Sequence, residues 1–224
     1  MSRSKKTRTR STEPRIRQIR QEVAAVAARI IATEGQHNYH AAKKKAAERI
    51  GLSDRMTLPS NLEVKEALLL YQDLYGGSTH TNNLLCLRQA AVQAMQWLEK
   101  FSPRLVGSVL DGTASEHSRV ALHVFSESTE SVILHFLESG TPFHEEQRQI
   151  RWYDGKHRSV PLIIFEFDDA AVELTLFEPV HLRQAPPSPI TGKPQRRAGL
   201  PEAQYLLSET GNPMQGPGFA IPTA

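Results

Sequence analysis

After Pro14 the apolar residues Ile16, Ile19, Val23, Val26 and Ile30 recur at spacings of three and four, and Gly35 follows them as a stop. This pattern predicts an amphipathic helix. A second, shorter helix is expected from about Asn38 to Ile50, N-capped by Asn38, with Ala42, Ala46, Ala47 and Ile50 turned inward and Lys43, Lys44 and Arg49 outward. Ser60 followed by Glu63 forms a capping-box pattern, opening a third helix through Val64, Leu68 and Tyr71 to Gly76 and Gly77. From Thr81 to Phe101, the residues Leu84, Leu87, Ala91, Met95 and Leu98 predict a long helix that stops before Pro103.

The period then falls to two. Val120, Leu122 and Val124 alternate as a half-buried strand does, and Ser128 to Leu137 reads as a helix closed by Gly140. Three more strands are expected at about 148–153, 159–167 and 171–177, the last two joined by Asp168-Asp169 as a tight hairpin turn. Helices followed by a helix-flanked sheet predict an α+β fold with a mixed sheet. Residues 1–13 are expected to be a disordered basic arm, 14–77 a helical region, 78–183 the α+β domain, 184–208 a linker with a short helix at 201–208, and 209–224 a disordered tail.

Composition narrows the setting. The 224 residues are 39% hydrophobic, enough to bury a core, yet hold no apolar run near eighteen residues. The chain starts with a charged run rather than an apolar signal segment, and its one cysteine, Cys86, excludes an intrachain disulfide framework; the expected compartment is a reducing cytoplasm. Cys86 falls among Leu84, Leu87 and Ala91 and is expected to be a buried packing thiol. The net charge of +3 is uneven: residues 1–20 carry eight basic side chains against Glu13 alone, and the remainder is net acidic. The basic character therefore belongs to an arm. Such an arm either neutralises nucleic-acid phosphates or stays a solvated tail, and no aromatic residue is interleaved with its charges to stack on bases.

Residues 107–125, GSVLDGTASEHSRVALHVF, hold the most specific chemistry. They resemble the active-site region of the DNA-polymerase-β-like nucleotidyltransferase superfamily, in which a Gly-Ser turn precedes a small-residue loop and a strand of the type Ser-Asp-Ile-Asp-Leu. Gly107 and Ser108 match the turn, Gly112 and Thr113 the loop, and Ser118 to Leu122 the strand. The resemblance spans about Leu84 to Phe177 and implies a nucleotidyltransferase-like sheet. In the family the two aspartates lie on one face of the strand and hold the metal ions that clamp a nucleoside triphosphate. Here those positions are Arg119 and Ala121, which cannot ligate magnesium, and His123 on the same face suits a transition metal better. Glu173 matches the family's third carboxylate and is the remaining catalytic candidate, with Asp111 and Glu116 as further acids. The resemblance thus implies a degenerate member, with magnesium as cofactor only if catalysis survives. An ordinary Gly-Ser turn feeding a half-buried strand is the plainer alternative.

The stretch from Val23 to Ser53 is similar to the start of the helix-turn-helix domain of TetR-type repressors, with Ile50-Gly51-Leu52-Ser53 as counterpart of its turn. A recognition helix should follow almost at once. Instead Asp54 to Pro59 intervene, and the next helix carries Glu63, Glu66 and Asp73 rather than the basic and amide residues that read a major groove.

Two functional readings follow. One is a nucleotidyltransferase-like protein without metal catalysis, binding a nucleotide phosphate through Gly107, Ser108 and Arg119 or serving as a scaffold, with Lys193, Arg196 and Arg197 folding back towards Ser108. The alternative is a nucleic-acid-binding regulator using Arg3, Lys5, Lys6, Arg8, Arg10, Lys43 and Lys44. The nine histidines show no HExxH spacing, no GxSxG or GxGxxG run occurs, and Ile190-Thr191-Gly192-Lys193-Pro194 lacks the upstream glycine of a P-loop. No metal site is expected, and neither oligomeric state nor substrate is legible.

Overall fold

A computed structural model describes residues 12–36, 38–52 and 58–211. It is an α+β fold: N-terminal helices, then a five-stranded mixed sheet flanked by helices. The chain divides into two compact units, residues 1–77 with 189–191, and 78–188 with 192–224.

The first unit contains α1 (Thr12–Glu34), α2 (Tyr39–Arg49) and α3 (Asn61–Tyr75). Asn38 caps α2 by accepting the backbone N–H groups of His40 and Ala41, and Ser60 caps α3 in a complete capping box with Glu63. The apolar faces read from the sequence meet in one core of Val23, Ala27, Ile30, Ala42, Ala46, Val64 and Leu68. The basic residues Arg3, Lys5, Lys6, Arg8 and Arg10, together with His37, Ser53 and the inserted 54–57, lie outside the described residues.

The second unit opens with α4 (Gly77–Trp97), which a 3-10 turn at Glu99–Phe101 follows. Then come β1 (Arg104–Val106), α5 (Gly107–Asp111), β2 (Val120–Phe125), α6 (Thr129–Ser139), β3 (Phe143–Arg151), β4 (His157–Phe167), β5 (Ala170–Phe177) and α7 (Leu200–Gly211). The strands lie in the order β1-β2-β5-β4-β3, with β2 and β5 parallel and every other pair antiparallel. One face of the sheet carries Leu105, Val120, Leu122, Val124, Ile163, Phe165, Val172 and Leu174 into a core with the apolar stripes of α4 and α6. The opposite face carries Ala121, His123, Glu173 and Thr175. Its far end is closed by a small apolar cluster of Phe125, Trp152 and Phe177. Among the described residues no helix is long and apolar enough to cross a membrane.

Several local expectations need correction. Cys86 is exposed: it sits one residue beyond the helical stripe of Leu84, Leu87 and Ala91, on the outward side of α4. β3 begins at Phe143 rather than near Arg148, because its register against β4 extends to Phe165. Strand β2 starts at Val120, so Arg119 precedes it; Ser118 is drawn into a turn in which its N–H donates to Ser115 O and its hydroxyl accepts the Ser115 N–H at 2.8 Å. α7 continues through Gly211, past the expected start of the tail at Glu209. Arg88 explains the extra turn, since its guanidinium donates to Leu206 O and Thr210 Oγ1.

Candidate functional site

At the end of β1 the chain turns sharply. Gly107 has φ +74°, a conformation that favours glycine, and a Cβ built on it would meet Ala121 Cβ at 3.6 Å, an ordinary contact. Backbone geometry, not lack of room, is what calls for glycine there. Ser108 follows in the first turn of α5, half-buried, its hydroxyl making no hydrogen bond to a described residue. Its carbonyl accepts the N–H groups of Gly112 and Thr113, which bends the small-residue loop back on α5. Thr113, Ser115 and Ser118 are all buried in that loop.

Parallel pairing of β2 with β5 sets Ala121 directly opposite Glu173. Gly107, Ala121 and Glu173 thereby meet on the open face. Glu173 is not a vacant ligand: the Arg148 guanidinium donates from Nη1 and Nη2 to its two carboxylate oxygens, both at 2.9 Å. The carboxylate is 15% exposed and the arginine 38%. Arg148 reaches Glu173 from β3, spanning β4. A bidentate guanidinium satisfies both carboxylate oxygens and supplies the positive charge a metal ion would otherwise supply. Among the described residues no three His, Cys, Asp or Glu side chains come together as a metal set. With Arg119 and Ala121 at the other two positions, these residues do not fit a pair of magnesium ions. Glu116 is exposed in the loop, 3.4 Å from His117 Nε2. Asp111 ends α5.

Arg119 is exposed and makes neither a hydrogen bond nor an ion pair with a described residue. It borders a groove of about 450 Å³ that Pro142, Phe143, His144, Ile164, Phe165, Glu166 and Ala171 complete. The free guanidinium, an apolar floor of Ile164 and Ala171, and the polar groups of His144 and Glu166 thus share one recess.

His123, which as a residue type could suit a transition metal, is engaged by a guanidinium instead. It is 4% exposed, and its Nδ1 accepts a hydrogen bond from Arg197 Nε at 3.0 Å. Burial, then the neighbouring Arg197 and Arg148, lower its pKa to about 3. The imidazole is therefore neutral, with its proton on Nε2. Arg197 also donates from Nη1 to His181 O at 2.6 Å and lies over the rings of Phe125 and Phe177. Its fold-back thus ends on His123 and the aromatic cluster rather than at Ser108. Burial and Arg104 lower Arg197 to about 10, which leaves it charged at neutral pH. Arg196 pairs with Glu202 at 2.6 Å. The carbonyl of Lys193 accepts the Ser188 N–H, closing the 188–193 turn.

In the helical unit the outward-facing cations are engaged locally. Lys43 donates to Pro59 O at 3.0 Å and to Asn61 Oδ1 at 2.7 Å, tying α2 to the start of α3, and burial lowers its pKa. Lys45 and Arg49 both pair with Glu34, and Lys44 stands 4.0 Å from Glu48. The Arg148–Glu173 and Arg197–His123 contacts are the ones that sequence reasoning missed: no local pattern announces a partner 25 or 74 residues away. Compared with known proteins, the chain matches no family model, no curated protein and no solved structure.

Proposed function

We propose that the sheet-bearing unit is a nucleotidyltransferase-like domain that binds the phosphate of a nucleotide on its open face and does not carry out two-metal transfer. The observation that carries this reading is the meeting of Gly107, Ala121 and Glu173 on one face, with Arg148 closing the one carboxylate that remains. Ser108 offers a hydroxyl that no described residue uses, and Arg119 a free guanidinium two residues from Ala121. Together they supply a hydrogen bond and a fixed positive charge for an anion. The groove beside Arg119 has the mixed lining that a sugar or base requires. A guanidinium stabilises charge but does not activate a hydroxyl as a metal ion does, so binding without turnover is the expected outcome.

The test is thermal unfolding with each nucleoside triphosphate, with and without magnesium or manganese, for the native chain, Arg119→Ala and Glu173→Ala. A ligand at about 100 times its dissociation constant stabilises by roughly 2.7 kcal/mol. Metal-independent stabilisation that Arg119→Ala abolishes and Glu173→Ala retains is expected. No shift with any nucleotide overturns the reading and passes attention to nucleic-acid binding by residues 1–20, which would be salt-sensitive and lost on their removal. A metal-dependent shift lost in Glu173→Ala overturns the absence of catalysis.

A further inference from the structure

The two edges of the sheet differ. β1 is three residues long and its outer side is bridged by Ala198, which exchanges hydrogen bonds with Leu105 at 2.8 and 2.9 Å. β3 is nine residues long, pairs only with β4, and is exposed at His144, Glu145, Glu146, Gln147, Gln149 and Arg151. An edge of this length is a template for another strand, and natural proteins protect such edges with charge. The charges of β3 have a particular order.

We infer that β3 is a homodimer edge, two copies of this chain pairing their β3 strands antiparallel about Gln147 to form one continuous sheet. Gln147 is the midpoint of Phe143–Arg151, so centring the pair there engages the whole strand. In that register Glu146 lies opposite the partner's Arg148, and Arg148 opposite the partner's Glu146. Glu145 meets the partner's Gln149, His144 meets the partner's Ile150, and Phe143 meets the partner's Arg151. No like charges face one another. Glu146 has no ion-pair partner among the described residues and meets no acid in this register, while the Arg148 guanidinium stays over β4 on Glu173.

Neighbouring registers are less favourable. A two-fold pairing that continues the open face from one copy to the next centres on a residue facing itself. Moving the centre to 146 or 145 sets Glu146 or Glu145 against its own copy, and moving it to 148 shortens the paired stretch to residues 145–151. Directly opposed like charges are destabilising. The edge acids therefore disfavour registers on one side of Gln147, and the loss of paired length disfavours those on the other. The inference does not rest on nucleotide binding.

The experiment combines sedimentation with cross-linking in full-length protein carrying Cys86→Ser. In an antiparallel pair, directly opposed Cα atoms lie roughly 4.5–5.5 Å apart, within disulfide range. Gln147→Cys should form an intermolecular disulfide under mild oxidation, and Gln149→Cys, which faces the partner's Glu145, should not. The parent should sediment as a concentration-dependent dimer of the 25.1 kDa chain. Gln147→Lys, which sets lysine against lysine on an exposed edge, should shift it to monomer. A monomer at every concentration overturns the inference. So does a dimer that survives Gln147→Lys or cross-links equally through positions 147 and 149.

Discussion

Arg197 donates its Nε–H to Nδ1 of His123 at 3.0 Å, so a guanidinium from the C-terminal segment is hydrogen-bonded to a neutral imidazole at the centre of the sheet. The contact explains how both faces of β2 come to be buried. Val120, Leu122 and Val124 face the helices, while His123 and Phe125 lie under Arg197. It also makes the fold sensitive to acid.

His123 stays neutral in the folded protein down to a pKa of about 3, against an ordinary value of 6.5. Below about pH 6.5 the unfolded chain binds a proton that the folded chain refuses, so stability rises with pH through this window and falls as pH drops towards 3. Urea unfolding across pH 3–7 should show that slope, and His123→Gln, which keeps an acceptor for Arg197, should flatten it. Equal slopes in the two proteins would refute the assignment.

Glu34 gives the helical unit a separate acid window. Hydrogen bonds from Arg49 and then Lys45 lower its pKa from 4.5 to about 2. Its contribution is present above pH 4.5 and is lost as pH falls towards 2. Glu34→Gln should remove pH dependence in that range, read by a probe in α1 in a titration extended to pH 2.

Arg88 is buried and donates to Val109 O, Leu206 O and Thr210 Oγ1, joining α4 to α5 and α7. Arg88→Met fills similar space but leaves those acceptors without their donor, at a cost of about 2–3 kcal/mol. Hydrogen exchange should lose protection first in residues 200–211. Unchanged exchange there would show that α7 is held by its apolar contacts.

The turn between β4 and β5 places Asp168 and Asp169 at φ +50° and +61°, both in the left-handed region. Asn-Gly suits that pair of conformations better, so Asp168→Asn with Asp169→Gly should stabilise by about 0.5–1 kcal/mol. Thermal unfolding should record a higher midpoint; a lower one would mean that the aspartates make favourable contacts of their own.

Ala121 faces Glu173 across the parallel pair. Ala121→Asp combined with Arg148→Ala would set two carboxylates side by side and remove the guanidinium that occupies one of them. Like charges so placed repel, so the double variant should be less stable than the parent without metal and gain stability with manganese. Absence of a manganese effect would show that the face cannot be turned into a cation site by these two positions alone.

The helices and their caps were legible in the sequence because the signals are local. Asn38, Ser60 with Glu63, and Gly140 act within one helical turn, and the alternation of Val120, Leu122 and Val124 reports a buried face directly. The same residues determined that Arg119 and Ala121 offer no carboxylates. Tertiary structure alone decided what the remaining groups do. The pairing of β2 with β5 sets Ala121 opposite Glu173, the reach of Arg148 across β4 closes that glutamate, and the return of Arg197 engages the buried His123. Such contacts depend on register and on chain segments far apart in sequence, and side-chain identity carries no information about either until the strands are aligned.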